Sequence, residues 1–267
     1  MVVTQRKRIC HTKIKKSIVY DDNNRILKIF IFLLLNLFLN DISLQADGIR
    51  SSSLYSYSGY LTTPSAYIID GQLGFHYSYL PKQVSAIRRN VSDNKIYSAC
   101  LGFFPFMELY FSVIITPSAK WIYNYGSFKT RSPGVKLKIF DERKSIPTIS
   151  FGIYDPDIHK LGGDFTSGHV SSTFVVISKK LGVRQSSVSI GYGFKALNGK
   201  NARLNGLFGG INMLLLKKIF LLVDYDSEYW SEGINFGCHG FDIIITFVDN
   251  SFPAYRIGYN FNLFSIK

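Results

Sequence analysis

From residue 71 to residue 263 the chain alternates with a period of two, and this alternation restricts the fold more than any other feature. Tyr255, Ile257, Tyr259, Phe261 and Leu263 share one face of the last run, and Arg256, Gly258, Asn260 and Asn262 share the other. Met107, Leu109, Phe111, Val113 and Ile115 oppose Glu108, Tyr110, Ser112 and Thr116. Val188, Ile190, Tyr192 and Phe194 oppose Ser187, Ser189, Gly191 and Gly193. The same pattern recurs at Val135, Leu137 and Ile139 against Lys136 and Lys138, and at Ile149, Phe151 and Ile153 against Thr148, Ser150 and Gly152. Ile219, Leu221, Val223 and Tyr225 face away from Asp224 and Asp226. Turn-forming clusters separate the runs at Pro81, 89–94, Pro117, 141–144, 155–157, 198–201, 226–228 and 248–253. The spacing predicts about twelve strands of the roughly 9–11 residues that cross a bilayer. Leu214 to Leu222 is the least clear stretch, read as two strands turning at Lys217-Lys218, with a helix as the alternative.

One face of these strands is apolar with aromatic ends, and the other carries glycine, serine, asparagine and charge. Small polar groups suit the crowded interior of a barrel, and the aromatic-tipped face suits lipid and its interfacial girdle. A soluble sandwich would instead pack its apolar face against a second sheet. Charged residues make up 18% of the chain, below the roughly 25% of ordinary soluble domains. With 22 Phe and 17 Tyr, the composition excludes a disordered chain and argues against a helical bundle. The expected fold is an all-β, antiparallel transmembrane β-barrel of about 12 strands, preceded by a signal peptide.

That signal is read from residues 29–39, an almost wholly apolar run following Arg25 and Lys28. Ser43-Leu-Gln-Ala46 follows, with Ala46 at a plausible cleavage edge. A spanning helix needs about 20 apolar residues, so the run is short for an anchor. The division expected is 1–46 as signal peptide and 47–267 as an outer-membrane barrel domain, with outer-membrane lipid as its surroundings. The net charge of +13 is inflated by the basic residues of the first segment. No basic stretch interleaved with aromatics follows it, so no nucleic-acid partner is expected.

Chemistry-bearing constellations are scarce. His76, His159, His169 and His239 lack metal-ligand spacing, and Tyr154-Asp-Pro-Asp-Ile-His159 reads as a turn at a strand end. Cys100 and Cys238 sit in strand-like segments without a CxxC pattern, and two unpaired thiols are favoured over a disulfide. Asp224 and Asp226 share a face but have no third catalytic group beside them. No catalytic, cofactor or metal site is expected. The candidate lumen-facing residues are Glu108, Tyr110, Lys136, Lys138, Asp224, Asp226, Asp242 and Arg256. Two interiors remain open: a filled one, in which the Asp224/Asp226 and Lys136/Lys138 charges pair, or a wet path, in which water screens them.

The order of several segments resembles the YjbH-like family. Gly59-Tyr-Leu-Thr-Thr-Pro-Ser-Ala66 followed by Asp70-Gly-Gln-Leu-Gly74 is similar to the family's opening. Pro133-Gly-Val-Lys-Leu-Lys-Ile-Phe140 and Pro147-Thr-Ile-Ser-Phe-Gly-Ile-Tyr-Asp155 resemble two of its strands. Phe174-Val-Val-Ile-Ser-Lys-Lys180, Ser189-Ile-Gly-Tyr-Gly193, Gly209-Gly-Ile211 and Leu222-Val-Asp-Tyr-Asp226 resemble later ones. Members are outer-membrane β-barrel proteins linked to exopolysaccharide or capsule production and secretion. The resemblance implies a non-enzymatic role in that process, with polysaccharide and capsule or exopolysaccharide export proteins as partners. The alternative is a general porin or small-solute channel.

Overall fold

Twelve antiparallel strands close on themselves in a computed structural model of the chain, which describes residues 52–84, 92–117, 128–156, 170–194, 203–216, 218–238 and 240–263. In chain order they are β1 (Gln72–Leu80), β2 (Asn94–Gly102), β3 (Met107–Thr116), β4 (Phe128–Phe140), β5 (Thr148–Tyr154) and β6 (Ser172–Lys180). They continue as β7 (Ser187–Phe194), β8 (Gly206–Leu216), β9 (Ile219–Tyr225), β10 (Trp230–Cys238), β11 (Phe241–Val248) and β12 (Phe252–Asn262). Each pairs with its sequence neighbours, and β1 closes the ring on β12 with Phe75 opposite Tyr259. The signal-like segment 1–46, His159, His169 and His239 lie outside the described residues. Leu214 to Leu222 is two strands, since β8 ends at Leu216 and β9 begins at Ile219.

Alternation sets the side-chain faces. In β3 and β7 each inward residue is buried, while Leu109, Phe111, Ile190 and Tyr192 are exposed. The outer belt continues through Phe75, Tyr97, Val175, Ile177, Leu207, Ile234, Phe236, Ile245, Phe247, Tyr255, Ile257 and Phe261. Register shifts at Lys138/Phe140 and at Leu214/Leu216 break the period at one end of the barrel. Ile139 and Phe140, and likewise Leu215 and Leu216, therefore both face outward. Pro133 sits inside β4 opposite Phe111. It is tolerated because β5 pairing begins only at Gly134, so its missing N–H faces no strand.

The two ends differ. Connections at 103–106, 141–147, 181–186, 217–218 and 239–240 lie at the end where β1 starts and β12 finishes, called here the turn end. Those at 81–93, 117–127, 155–171, 195–205, 226–229 and 249–251 lie at the opposite, loop end, and four of these are the longest in the chain.

The interior is occupied by the chain itself. Residues 52–67 are all buried and precede β1. They fold inside the ring through bridges between Ser52 and Ser58 and between Gly59 and Pro64. Leu54, Tyr55 and Tyr57 pack with Leu80, Ile96, Ile114, Tyr154 and Val248. Tyr60 and Leu61 pack with Leu222 and Ile244, and Ala66 packs with Phe174, Val176 and Phe208. The inner wall is thus less polar than the alternation alone implies, because these buried apolar side chains need apolar partners. Inward rings also lie on glycines directly across the strand: Tyr110 on Gly134, Phe174 on Gly152, Phe208 on Gly191 and His76 on Gly258. A Cβ on any of these glycines would fall within the facing ring.

Candidate functional site

Of the expected lumen residues, Glu108, Lys136 and Asp224 hydrogen-bond to residues 52–67 and Tyr110 packs on Tyr57, while Asp226, Asp242, Arg256 and Lys138 find partners elsewhere in the barrel. Glu108 and Lys136 are directly opposed between β3 and β4, and their charged groups lie 3.1 Å apart. Both grip Ser58. Glu108 Oε1 accepts its backbone N–H at 2.7 Å, and Oε2 accepts its hydroxyl. Lys136 Nζ lies 2.5 Å from the Ser58 hydroxyl and donates to the carbonyls of Ser58, Ser65 and Tyr67 at 3.2, 3.0 and 3.0 Å. A single ion pair therefore fixes three points of the inner segment.

Asp224, fully buried on β9, forms the second anchor. Its Oδ2 accepts the backbone N–H groups of Thr62 and Thr63 at 2.7 and 2.9 Å. The threonine hydroxyls donate as well, Thr62 to Oδ1 and Thr63 to Oδ2, each at 3.0 Å. The pairing of Asp224 with a lysine of β4, one of the two alternatives left open by the sequence, is not found: β4 and β9 are not neighbours, and amide donors of the inner segment satisfy the carboxylate instead. Asp226 lies just past β9, where it accepts the N–H groups of Glu228 and Tyr229 and pairs with Arg203 at 3.3 Å.

Arg203 escaped sequence reasoning because it lies in a connection without alternation. Its guanidinium stacks on Tyr55 and donates to the Tyr57 hydroxyl and the Thr62 carbonyl, both at 2.8 Å. Burial pushes the Tyr57 hydroxyl up to about 12, against the pull of Arg203. The hydroxyl donates to the Thr62 carbonyl at 2.6 Å.

Asp242 pairs with Arg256 across β11 and β12 and accepts from Asn235 at 2.5 Å. Tyr110 lies edge-on to Tyr57 and donates to the Ile153 carbonyl at 2.9 Å. Lys138 departs from the other seven. It sits at the turn end and pairs with Asp141 at 3.0 Å, holding that exposed carboxyl below its ordinary range. Ala66 donates to the Ser178 hydroxyl at 2.7 Å and accepts from Ser150 at 2.7 Å.

Cys100 and Cys238 are free thiols, and Cys100 lies 3.2 Å from the Ser52 hydroxyl. Asp155, from the turn after β5, accepts the N–H of Val170 at 2.9 Å. Among the described residues no three His, Cys, Asp or Glu side chains converge as metal ligands would. The chemistry of the interior is recognition of the protein's own segment, by carboxylates facing amides and an ammonium facing carbonyls.

The family model described as exopolysaccharide biosynthesis protein YbjH matches residues 51–209. This span takes in the inner segment, β1 to β7 and the start of β8. It is more than half of the chain, so the protein belongs to the YjbH family. No curated protein matches it.

Proposed function

From this family membership, we propose that the protein is a non-enzymatic outer-membrane barrel serving exopolysaccharide or capsule export. The observation that carries the reading is the outer face. A closed sheet that displays Phe, Tyr, Ile and Leu all round its wall would associate in water, whereas lipid accommodates it. Short turns at the end holding the first and last strand edges, with longer loops opposite, suit turns in the periplasm and loops outside the cell. Partners are outer-membrane lipid, the polysaccharide and export proteins that deliver it.

The occupied lumen bears on which role within export the barrel takes. A general porin needs a standing aqueous channel, and here residues 52–67 fill that space. The reading therefore favours a closed barrel that partners the export machinery, passing polymer only if the inner segment moves. Cell fractionation tests it. The protein should sediment with outer membranes and migrate faster unheated than heated on a detergent gel. Deletion of the gene should reduce secreted or cell-associated polysaccharide. Release by a mild salt wash, or unchanged polysaccharide in the deletion strain, contradicts the proposal.

A further inference from the structure

The turn end carries an unneutralised basic arc. It runs over three successive connections, 141–147, 181–186 and 217–218, and includes Arg143, Lys144, Lys180, Arg184 and Lys218. Arg143, Lys144, Arg184 and Lys218 are exposed, and Lys180 is half-buried. The arc is physically continuous. Lys179 Nζ donates to the carbonyls of Arg143 and Lys144 at 2.6 and 3.1 Å, tying β6 to the turn before β5. Leu214 donates to the Arg184 carbonyl at 3.0 Å, tying β8 to the turn before β7.

The acids within the arc are already engaged. Asp141 pairs with Lys138, and Glu142 accepts from Tyr67 Oη at 2.8 Å and from the Lys180 N–H at 3.1 Å. Glu142 also pairs with Lys179 at 3.2 Å. None of the five cations forms an ion pair among the described residues; Lys180 lies near enough to Asp141 to help hold its carboxyl down, and the other four have no acid acting on them there, so the arc keeps an excess of positive charge for a ligand.

Resting on the export reading above, we propose that this arc receives an anionic polysaccharide, a polymer with uronate or similar acidic groups along its chain, at the turn-end mouth of the barrel. Position favours a polymer over a lipid headgroup. Lys138 and Lys180 lie on the inward parity of β4 and β6, and the Lys180 ammonium lies 5.9 Å from the ring centroid of Tyr67, the last buried residue of the inner segment. The outward face at this level is Ile139, Phe140, Leu181, Leu215 and Leu216, which are apolar. Lys180 thus lies at the mouth rather than on the lipid-facing belt, and the turns that carry the other four cations lie along its rim. A linear polyanion can meet several of them at once, and linked contacts raise avidity without any single tight one.

The test uses the full chain in neutral detergent, with polygalacturonate and uncharged dextran as probes in titration calorimetry. Polygalacturonate should bind, with affinity falling as salt rises, and dextran should not. Arg143→Gln/Lys144→Gln/Lys180→Gln/Arg184→Gln should weaken binding by about tenfold or more, as expected for loss of several charges facing an anionic surface. The unfolding temperature should not change. Arg143→Gln/Lys144→Gln, confined to one exposed turn, should give a smaller loss in the same direction, and Lys82→Gln/Lys95→Gln at the loop end should give none. Equal binding of both polymers, or undiminished binding by both arc variants, overturns the proposal. With phosphatidylglycerol vesicles as a third probe, a fourfold variant that loses affinity for the vesicles and keeps it for polygalacturonate overturns it too. Polysaccharide output that falls on gene deletion, while the purified barrel ignores polygalacturonate, overturns this inference alone and leaves the wider reading standing.

Discussion

Glu108 and Lys136 are buried together, so removing one leaves the other charged and without its counter-ion. Glu108→Gln should cost about 3–5 kcal/mol in detergent unfolding, the range for breaking a buried pair from one side. The double variant Glu108→Gln/Lys136→Met should be more stable than the sum of its singles predicts. Asp224→Asn with Lys138→Gln is the contrasting cycle. Asp224 binds Thr62 and Thr63, while Lys138 pairs with Asp141 at the turn end. These effects should add within about 0.3–0.5 kcal/mol. Parity along each strand suffices to group the candidate residues on one face. It cannot identify their partners, because these depend on register between strands, as with Glu108 and Lys136, or on loop residues such as Arg203.

The strands themselves are legible because each alternates over most of its length. Where the alternation breaks, a physical cause is visible. The bulge at Leu214/Leu216 and a two-residue turn place apolar residues side by side, so Leu214 to Leu222 also admits a helix beside the two-strand reading that the structure bears out. Pro133 obscures the start of β4, which runs back to Phe128 beyond the reach of β5. Two substitutions probe the faces. Phe111→Arg, at the middle of β3 on the outer wall, should cost about 2–4 kcal/mol if that wall lies in lipid. Refolding into bilayers with urea titration measures it, and a negligible cost would contradict the lipid-facing assignment. Gly134→Val should cost about 1–3 kcal/mol by forcing a side chain into the space of the Tyr110 ring. Adding Tyr110→Ala should recover part of that loss, whereas full additivity would show that the two do not compete for space.

The molecule as a whole is a ring closed around part of its own chain, and this arrangement is the least legible in the sequence. The contacts that hold the inner segment join Thr62 to Asp224 and Ser58 to Glu108, far beyond any local pattern. The one local sign is composition: no charged residue occurs between Arg50 and Asp70, while Ser, Thr and Tyr abound. Such a stretch can enter a closed interior without carrying a charge that needs its own partner. Cys100 reports directly on whether it does so. This thiol is buried, inward and next to Ser52 of the inner segment. In a Cys10→Ser/Cys238→Ser protein, refolded into vesicles, it is the only thiol. The structure predicts that a water-soluble maleimide leaves Cys100 unmodified in the folded barrel and reacts fully after denaturation. Rapid modification in the folded barrel would show a water-filled lumen and contradict the filled interior.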